Sequence, residues 1–218
     1  MSQAQPPLTK VKAPPGTSTS AMLADRSSPA MLRFLQGFLR NPLQVGSIVP
    51  SSRSLARAVV ARVPADARAV AELGPGTGPI TRMLLEHLGP HATVLGIEID
   101  PAFCAVLRRN LPDARLQVIE GPAQELPARA DAAGFPAGVD AVVSGLPFAN
   151  FPLSLRYELV RAAHAGLKPG GVFAGYGYMP FALPPILRAV FGECHFGYVW
   201  RNVPPAFIFS AVKGRATS

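Results

Sequence analysis

From Val70 onward the chain repeats one unit: a short apolar run, a turn, then a stretch with helical spacing. The apolar runs lie near 70–73, 93–99, 116–120, 139–144, 171–177, 194–200 and 206–212, and the helical stretches near 79–88, 101–110, 152–166 and 183–190. Repeated strand–helix units require a largely parallel sheet with helices on both faces, because each crossover returns the chain to the same end of the sheet. The last two runs are joined only by Asn202-Val203-Pro204-Pro205, too short for a crossover helix, so they pair antiparallel. The prediction is an α/β fold with a mostly parallel seven-stranded sheet ending in an antiparallel hairpin. Ligands of such sheets bind beyond the carboxyl ends of the strands. That edge collects the turn after Leu73, Glu98, the turn after Glu120 and the segment from Ser144.

The first of these turns reads Glu72-Leu73-Gly74-Pro75-Gly76-Thr77-Gly78, with Pro79 opening a helix. Glycines there let the backbone approach a ligand closely, and the helix start leaves amides free. The next strand ends at Glu98, a strand-end carboxylate rather than a core group, able to accept both hydroxyls of a ribose. A glycine loop plus this acid implies a nucleoside-containing cofactor. Dinucleotide folds space their glycines G-x-G-x-x-G, whereas here the order is E-x-G-x-G-x-G. That order resembles motif I of the class I S-adenosylmethionine-dependent methyltransferases. The resemblance implies that Glu72, Gly74, Gly76 and Gly78 lie at the methionine end of S-adenosylmethionine and Glu98 at its ribose. Ile99, Gly121, Pro122, Ala123 and Ser144 complete the cofactor site, and the product is S-adenosylhomocysteine.

At 218 residues and 49% hydrophobic, the chain can bury one substantial core. Cys104 and Cys194 fit no CxxC or zinc pattern, and the four histidines are scattered. A reducing compartment and a metal-free enzyme are expected, with Cys104 buried on an apolar helix face. The charge is uneven. Residues 1–63 carry eight basic side chains against Asp25 alone, so +7 of the formal +8 lies in the N-terminal third. An anionic partner is implied, nucleic acid or membrane.

Residues 1–27, rich in Pro, Ser, Thr and Ala, read as a disordered tail. They lack the pattern of a secretory signal, and no run approaches the ~18 to 20 apolar residues that span a bilayer. The chain reads as soluble or peripheral. Residues 28–63 form a second region of two basic amphipathic helices that dock on membrane and cover the active site, and residues 64–218 the catalytic domain. In the first helix, opened by Ser28-Pro29 and stopped by Asn41-Pro42, Met31, Phe34, Leu35, Phe38 and Leu39 match the i, i+3, i+4, i+7, i+8 template, with Arg33 and Arg40 opposite. Apolar and aromatic residues facing arginines suit an interfacial membrane helix, although packing on the chain's own domain fits the same stripe. The second helix spans Ser52 to Val63, with Leu55, Ala56, Val59, Val60 and Val63 inward.

Beyond the fourth strand, Ser144-Gly145-Leu146-Pro147-Phe148 lies where amino-directed methyltransferases meet the methyl acceptor. The related rRNA adenine dimethyltransferases carry Asn at the position of Gly145, and the flat amine of adenine needs that side chain. An aliphatic amine instead gains from an aromatic face, with cation–π contacts contributing about 0.5 to 2 kcal/mol.

Five segments together carry a closer resemblance. Phe38-Leu39-Arg40-Asn41-Pro42, Gly46-Ser47-Ile48-Val49-Pro50-Ser51-Ser52, the Glu72–Gly78 loop, Ser144–Phe148 with Asn150-Phe151-Pro152, and Asn202-Val203-Pro204-Pro205-Ala206 resemble the small soluble bacterial phospholipid N-methyltransferases. The match runs from about residue 30 to the end. It implies methylation of phosphatidylethanolamine, in up to three steps, toward phosphatidylcholine, by a cytoplasmic monomer held peripherally on the anionic inner face of the cell membrane. Leu146, Pro147, Phe148, Tyr176 and Tyr178 would meet the reacting nitrogen, although a tight turn with a core Phe148, and strand-end core aromatics at 176 and 178, fit the same residues. Ile48, Ser51, Ser52 and Arg201 would hold the lipid, Arg201 at its phosphate, although a solvated surface arginine fits that residue better. One departure from the family pattern is Gly121-Pro122-Ala123 in place of Gly-Asp-Ala, whose Asp meets the adenine amino group. Adenine recognition then shifts to backbone groups or to Gln124. The runner-up reading, an rRNA adenine dimethyltransferase-like enzyme, would turn the N-terminal charge toward RNA phosphates. Gly145 and the apolar helical stripe count against it, and no nucleic-acid partner is expected.

Overall fold

The structure is a computed structural model that describes residues 53–215. Its elements run α1 (Arg53–Val60), β1 (Ala69–Leu73), α2 (Pro79–His87), β2 (Thr93–Glu98), α3 (Pro101–Asn110), β3 (Leu116–Glu120), α4 (Leu126–Ala132), β4 (Val139–Ser144), α5 (Leu153–Gly166), β5 (Leu167–Gly177), α6 (Pro184–Phe191), β6 (His195–Val199) and β7 (Ala206–Val212). The strands form one seven-stranded sheet in the order β3-β2-β1-β4-β5-β7-β6. The first five pair in parallel, and β7 lies antiparallel between β5 and β6. The chain reverses direction across the sheet between β1 and β4, which opens a crevice at their carboxyl ends.

β1 is buried at every residue, as a central parallel strand covered on both faces must be. On one face α1 and α2 close a core around Leu55, Val59, Ile80, Leu84, Val94 and Val143. On the other, α4, α5 and α6 cover Leu73, Ile97, Val142, Phe173 and Phe209. α1 is therefore an integral layer, with its apolar stripe inside the protein. Four helices carry proline in the first turn. Gly78, left-handed at φ 87°, precedes Pro79 of α2, and the Asp100 carboxylate accepts from the Ala102 N–H at 2.8 Å ahead of α3. Cys104 is buried as expected.

Two elements differ from the sequence reading. α4 is a seven-residue helix, too short to show an apolar period, and is held by the Glu125–Arg129 pair at 2.7 Å, one turn apart. β5 begins at Leu167 rather than 171, because its pairing with β4 shifts register between Val139 and Ala141 and keeps Lys168-Pro169-Gly170 in the strand. The helix read over residues 28–41 and the loop at 46–52 lie outside the described residues. So do Met31, Arg33, Phe34, Leu35, Phe38, Leu39, Arg40, Ile48, Ser51 and Ser52.

Candidate active site

A cavity of about 370 Å³ lies at the carboxyl edge of β1, β2, β4 and β5. Gly74, Gly76, Glu98, Ile99, Gly121, Ala123, Leu146, Pro147, Phe148, Tyr176 and Tyr178 all line it, so both ends of the expected site meet in one space. Glu72, Gly78, Pro122, Ser144 and Arg201 are not in its wall. Glu72, Pro122, Gly78 and Ser144 are buried behind it, and Arg201 is exposed on the β6–β7 hairpin.

The glycine loop has the backbone that only glycine adopts without strain: φ is 70° at Gly74, 57° at Gly76 and 87° at Gly78. A Cβ at Gly74 would fall 2.7 Å from the Leu146 side chain, whereas one at Gly76 meets nothing within 4 Å. The Gly76 approach is open toward the cavity, and the Gly74 side is closed by Leu146.

Glu98 is 3% exposed, which corrects the expectation that it is merely a strand-end group. One carboxylate oxygen accepts from the Gly76 N–H and the other from the Asp100 N–H, each at 3.0 Å. Burial raises its pKa, and those backbone bonds oppose the rise. The residue thus holds the glycine loop to the end of β2 while lining the cavity. Glu72 is buried beneath the loop, with one carboxyl oxygen lacking a hydrogen-bond partner. Burial pushes its pKa up to about 7, offset in part by Thr81 and reinforced by the negative charge of Glu98.

The end expected to meet the methyl acceptor is aromatic. Phe148 is 5% exposed and meets Phe151 edge-on, with ring centroids 6.3 Å apart. The Tyr176 and Tyr178 rings stand perpendicular at 6.4 Å, and the Asn202 amide donates to the Tyr178 hydroxyl at 3.5 Å. Among the described residues, Glu98, Tyr176 and Tyr178 are the titratable side chains in the wall. A Cβ at Gly145 would lie 2.8 Å from the Gly74 carbonyl oxygen. The Asn of the adenine dimethyltransferases therefore has no room here unless the glycine loop moves.

The sequence reading missed Phe103, Leu159, Met179, Leu183 and Phe209, which also line the cavity. Phe103, Leu159 and Phe209 belong to ordinary apolar periods of α3, α5 and β7, and only packing turns them toward the crevice.

The residues fit S-adenosylmethionine on their own chemistry. A loop of bare backbone faces the cavity, a buried carboxylate lies at the end of β2, and the Gln124 amide is buried in the wall with neither nitrogen nor oxygen partnered. Comparisons agree. Residues 70–171 match the family described as a methyltransferase domain. The fold is that of the 1,6-didemethyltoxoflavin-N1-methyltransferase of Burkholderia thailandensis, solved with S-adenosylhomocysteine bound: TM-score 0.63, 18% identity, 94% of this chain and 93% of that one. The chain belongs to the class I S-adenosylmethionine-dependent methyltransferases, with S-adenosylmethionine as its cofactor. Within that class it is 37% identical over 175 residues to the ornithine lipid N-methyltransferase of Singulisphaera acidiphila, covering 79% of this chain and 91% of that relative. It is also 38% identical over 134 residues to ribosomal RNA small subunit methyltransferase A of Bordetella pertussis, of which it spans 43%.

Proposed function

We propose that this enzyme methylates the primary amine of phosphatidylethanolamine, and then its mono- and dimethyl derivatives, toward phosphatidylcholine at the cytoplasmic membrane surface. The observation that carries this reading is the acceptor end of the cavity. It is walled by Phe148, Phe151, Tyr176 and Tyr178, and Gly145 leaves no space for an adenine-reading side chain. A lipid N-methyltransferase aligned over most of its length supports the lipid class. Because that relative is named for ornithine lipid, whose headgroup also offers an aliphatic amine, ornithine lipid is the second reading.

When bound, S-adenosylmethionine supplies an electrophilic sulfonium methyl. The chain's own residues must position the amine in line with it, and orientation of this kind accounts for roughly 7 to 11 kcal/mol of barrier. A free alkylammonium has a pKa near ~10, and only its neutral form attacks. Desolvation among the aromatic side chains lowers that pKa and favours the nucleophile. Tyr176 and Tyr178 hydrogen-bond the nitrogen in this scheme. Incubation with labelled S-adenosylmethionine and vesicles of phosphatidylethanolamine, vesicles of ornithine lipid, or RNA tests the reading. Label in chloroform-soluble phosphatidylethanolamine products supports it, label in ornithine lipid alone moves the substrate, and label in RNA overturns it.

Adenine recognition falls to Gln124 in this proposal. Its amide offers a donor and an acceptor at one edge, the pattern that pairs with adenine, where the family's Asp only accepts. Gln124→Leu is therefore expected to weaken S-adenosylhomocysteine about tenfold by calorimetry. Unchanged affinity would return adenine recognition to the backbone.

The helix read over residues 28–41 is proposed as a membrane anchor, reinforced by the N-terminal positive charge. Vesicle co-sedimentation should rise with anionic lipid and fall with salt, and Phe34→Glu with Phe38→Glu should weaken it about fivefold. Wild-type binding by that double variant would mean that the stripe packs on its own domain.

A further inference from the structure

The rim of the cavity is unlike the rest of the surface. β6 runs parallel to β5, since each pairs antiparallel with β7, so the end of β6 lies at the same edge as the cavity mouth. The Asn202–Tyr178 contact joins the two. On that edge Met179, Phe181, Trp200 and Val203 are 56%, 81%, 78% and 81% exposed. Met179 is itself part of the cavity wall. Phe196 and Tyr198 share one face of β6, and Trp200, in the turn just past its end, packs on Tyr198, which extends the patch down the edge strand. The Tyr198 ring packs on Trp200 at 4.2 Å and on Phe207 at 4.9 Å, so the stripe is preordered.

Charge is sparse along the rim segment itself. Between Tyr176 and Phe207 the single acidic residue is Glu193, which precedes β6 at its far end, whereas the exposed Arg201 follows Trp200 directly. Arg62 stands against the opposite face of β6, its guanidinium 3.0 Å from where a Cβ on Gly197 would be. Exposed Trp, Phe, Met and Val beside arginine match the bilayer interface, where amphipathic rings lie at headgroup depth and basic side chains meet anionic lipid.

We infer that this rim, from Met179 and Phe181 across to Trp200 and Val203, inserts into the interface of an anionic bilayer and sets the cavity mouth against the headgroups. The inference rests on the lipid reading of the site and adds a docking face separate from residues 28–41. It also supplies a route. A lipid amine reaches the aromatic end of the cavity past Met179 while its acyl chains stay in the membrane. The position of Arg201 beside Trp200, outside the cavity wall, then suits a phosphate at the membrane plane better than one inside the pocket.

Trp200 is the chain's single tryptophan, so its fluorescence reports on this face alone. With vesicles of phosphatidylethanolamine and phosphatidylglycerol, emission from the full chain should shift to shorter wavelength. It should be quenched when the acyl chains are brominated. Phe181→Glu with Trp200→Glu should cut vesicle co-sedimentation and vesicle methylation about fivefold, with S-adenosylhomocysteine affinity unchanged, because two charges then enter an apolar interface. An unshifted, unquenched Trp200 with wild-type enzyme, or wild-type vesicle binding by the double variant, overturns the inference. Emission already blue-shifted without vesicles and insensitive to bromine overturns it too, and assigns the patch to residues 1–52 or to a second copy along the β6 edge. Methylation of lipid is scored separately. Quenching without product sinks the substrate reading, and product without quenching sinks the docking face.

Discussion

Glu98→Gln is expected to weaken S-adenosylhomocysteine binding about a hundredfold in a protein that remains folded. Hydrogen bonds to a charged group contribute about 1.5–3 kcal/mol, and each 1.4 kcal/mol is tenfold in affinity. The proposed ribose contact loses that charge. The amide must also turn its NH2 toward either the Gly76 or the Asp100 N–H, both of which now point at carboxylate oxygens 3.0 Å away. One of the two bonds becomes a clash of donors, so the glycine loop loosens as the ribose acceptor is lost. Glu98→Ala is the less informative variant. It leaves both backbone N–H groups without their acceptor beside an emptied site, and mixes loop collapse with loss of the ligand contact. Calorimetric titration with S-adenosylhomocysteine, alongside circular dichroism, reads the two effects apart. Affinity within about threefold of wild type in a folded Glu98→Gln protein would remove Glu98 from the site, since even one neutral hydrogen bond contributes about 1 kcal/mol.

The sheet was legible because its signal is local. Apolar runs of parallel-strand length, punctuated by Gly74, Gly76 and Gly78 and by prolines at helix starts, fix type and order without knowledge of packing. The antiparallel ending followed from a four-residue connection. The cofactor edge followed from strand direction alone. What sequence could not give was depth. Whether Glu98 sits at a wet strand end or in a dry loop clamp depends on the Gly76 amide turning back toward it across 22 residues. Glu72 carries no local mark of a carboxyl whose burial lifts it to about 7. The crowding at Gly145 is equally non-local, since its neighbour is the carbonyl of Gly74 on a different strand end. The exposed rim was invisible for the converse reason. Phe196, Tyr198 and Trp200 alternate like any strand facing a core, and only the edge position of β6 leaves that face uncovered.

Phe148→Leu is expected to lower turnover on the proposed lipid amine about thirtyfold while leaving S-adenosylhomocysteine affinity within about twofold, the loss of about 2 kcal/mol that the proposed desolvated cation–π contact implies. As the methyl transfers, positive charge grows on the nitrogen. An aromatic face beside it is therefore stronger in the transition state than with the neutral amine, the condition for an effect on kcat. Leucine is the right probe because Phe148 is also core. It is 5% exposed and packs on Phe151, so truncation to alanine would cost about 3–5 kcal/mol of stability and confound the measurement. Leucine keeps more of the apolar volume than alanine does, so it costs less stability while still removing the ring. Phe148→Tyr keeps the π face and should retain most turnover, which separates a ring effect from a general disturbance of the Leu146-Pro147-Phe148 turn. Steady-state kinetics on vesicles, with cofactor affinity measured in parallel, decides between them. If Phe148→Leu turns over within about threefold of wild type, less than about 0.7 kcal/mol rests on the ring. Phe148 is then a structural residue of the turn.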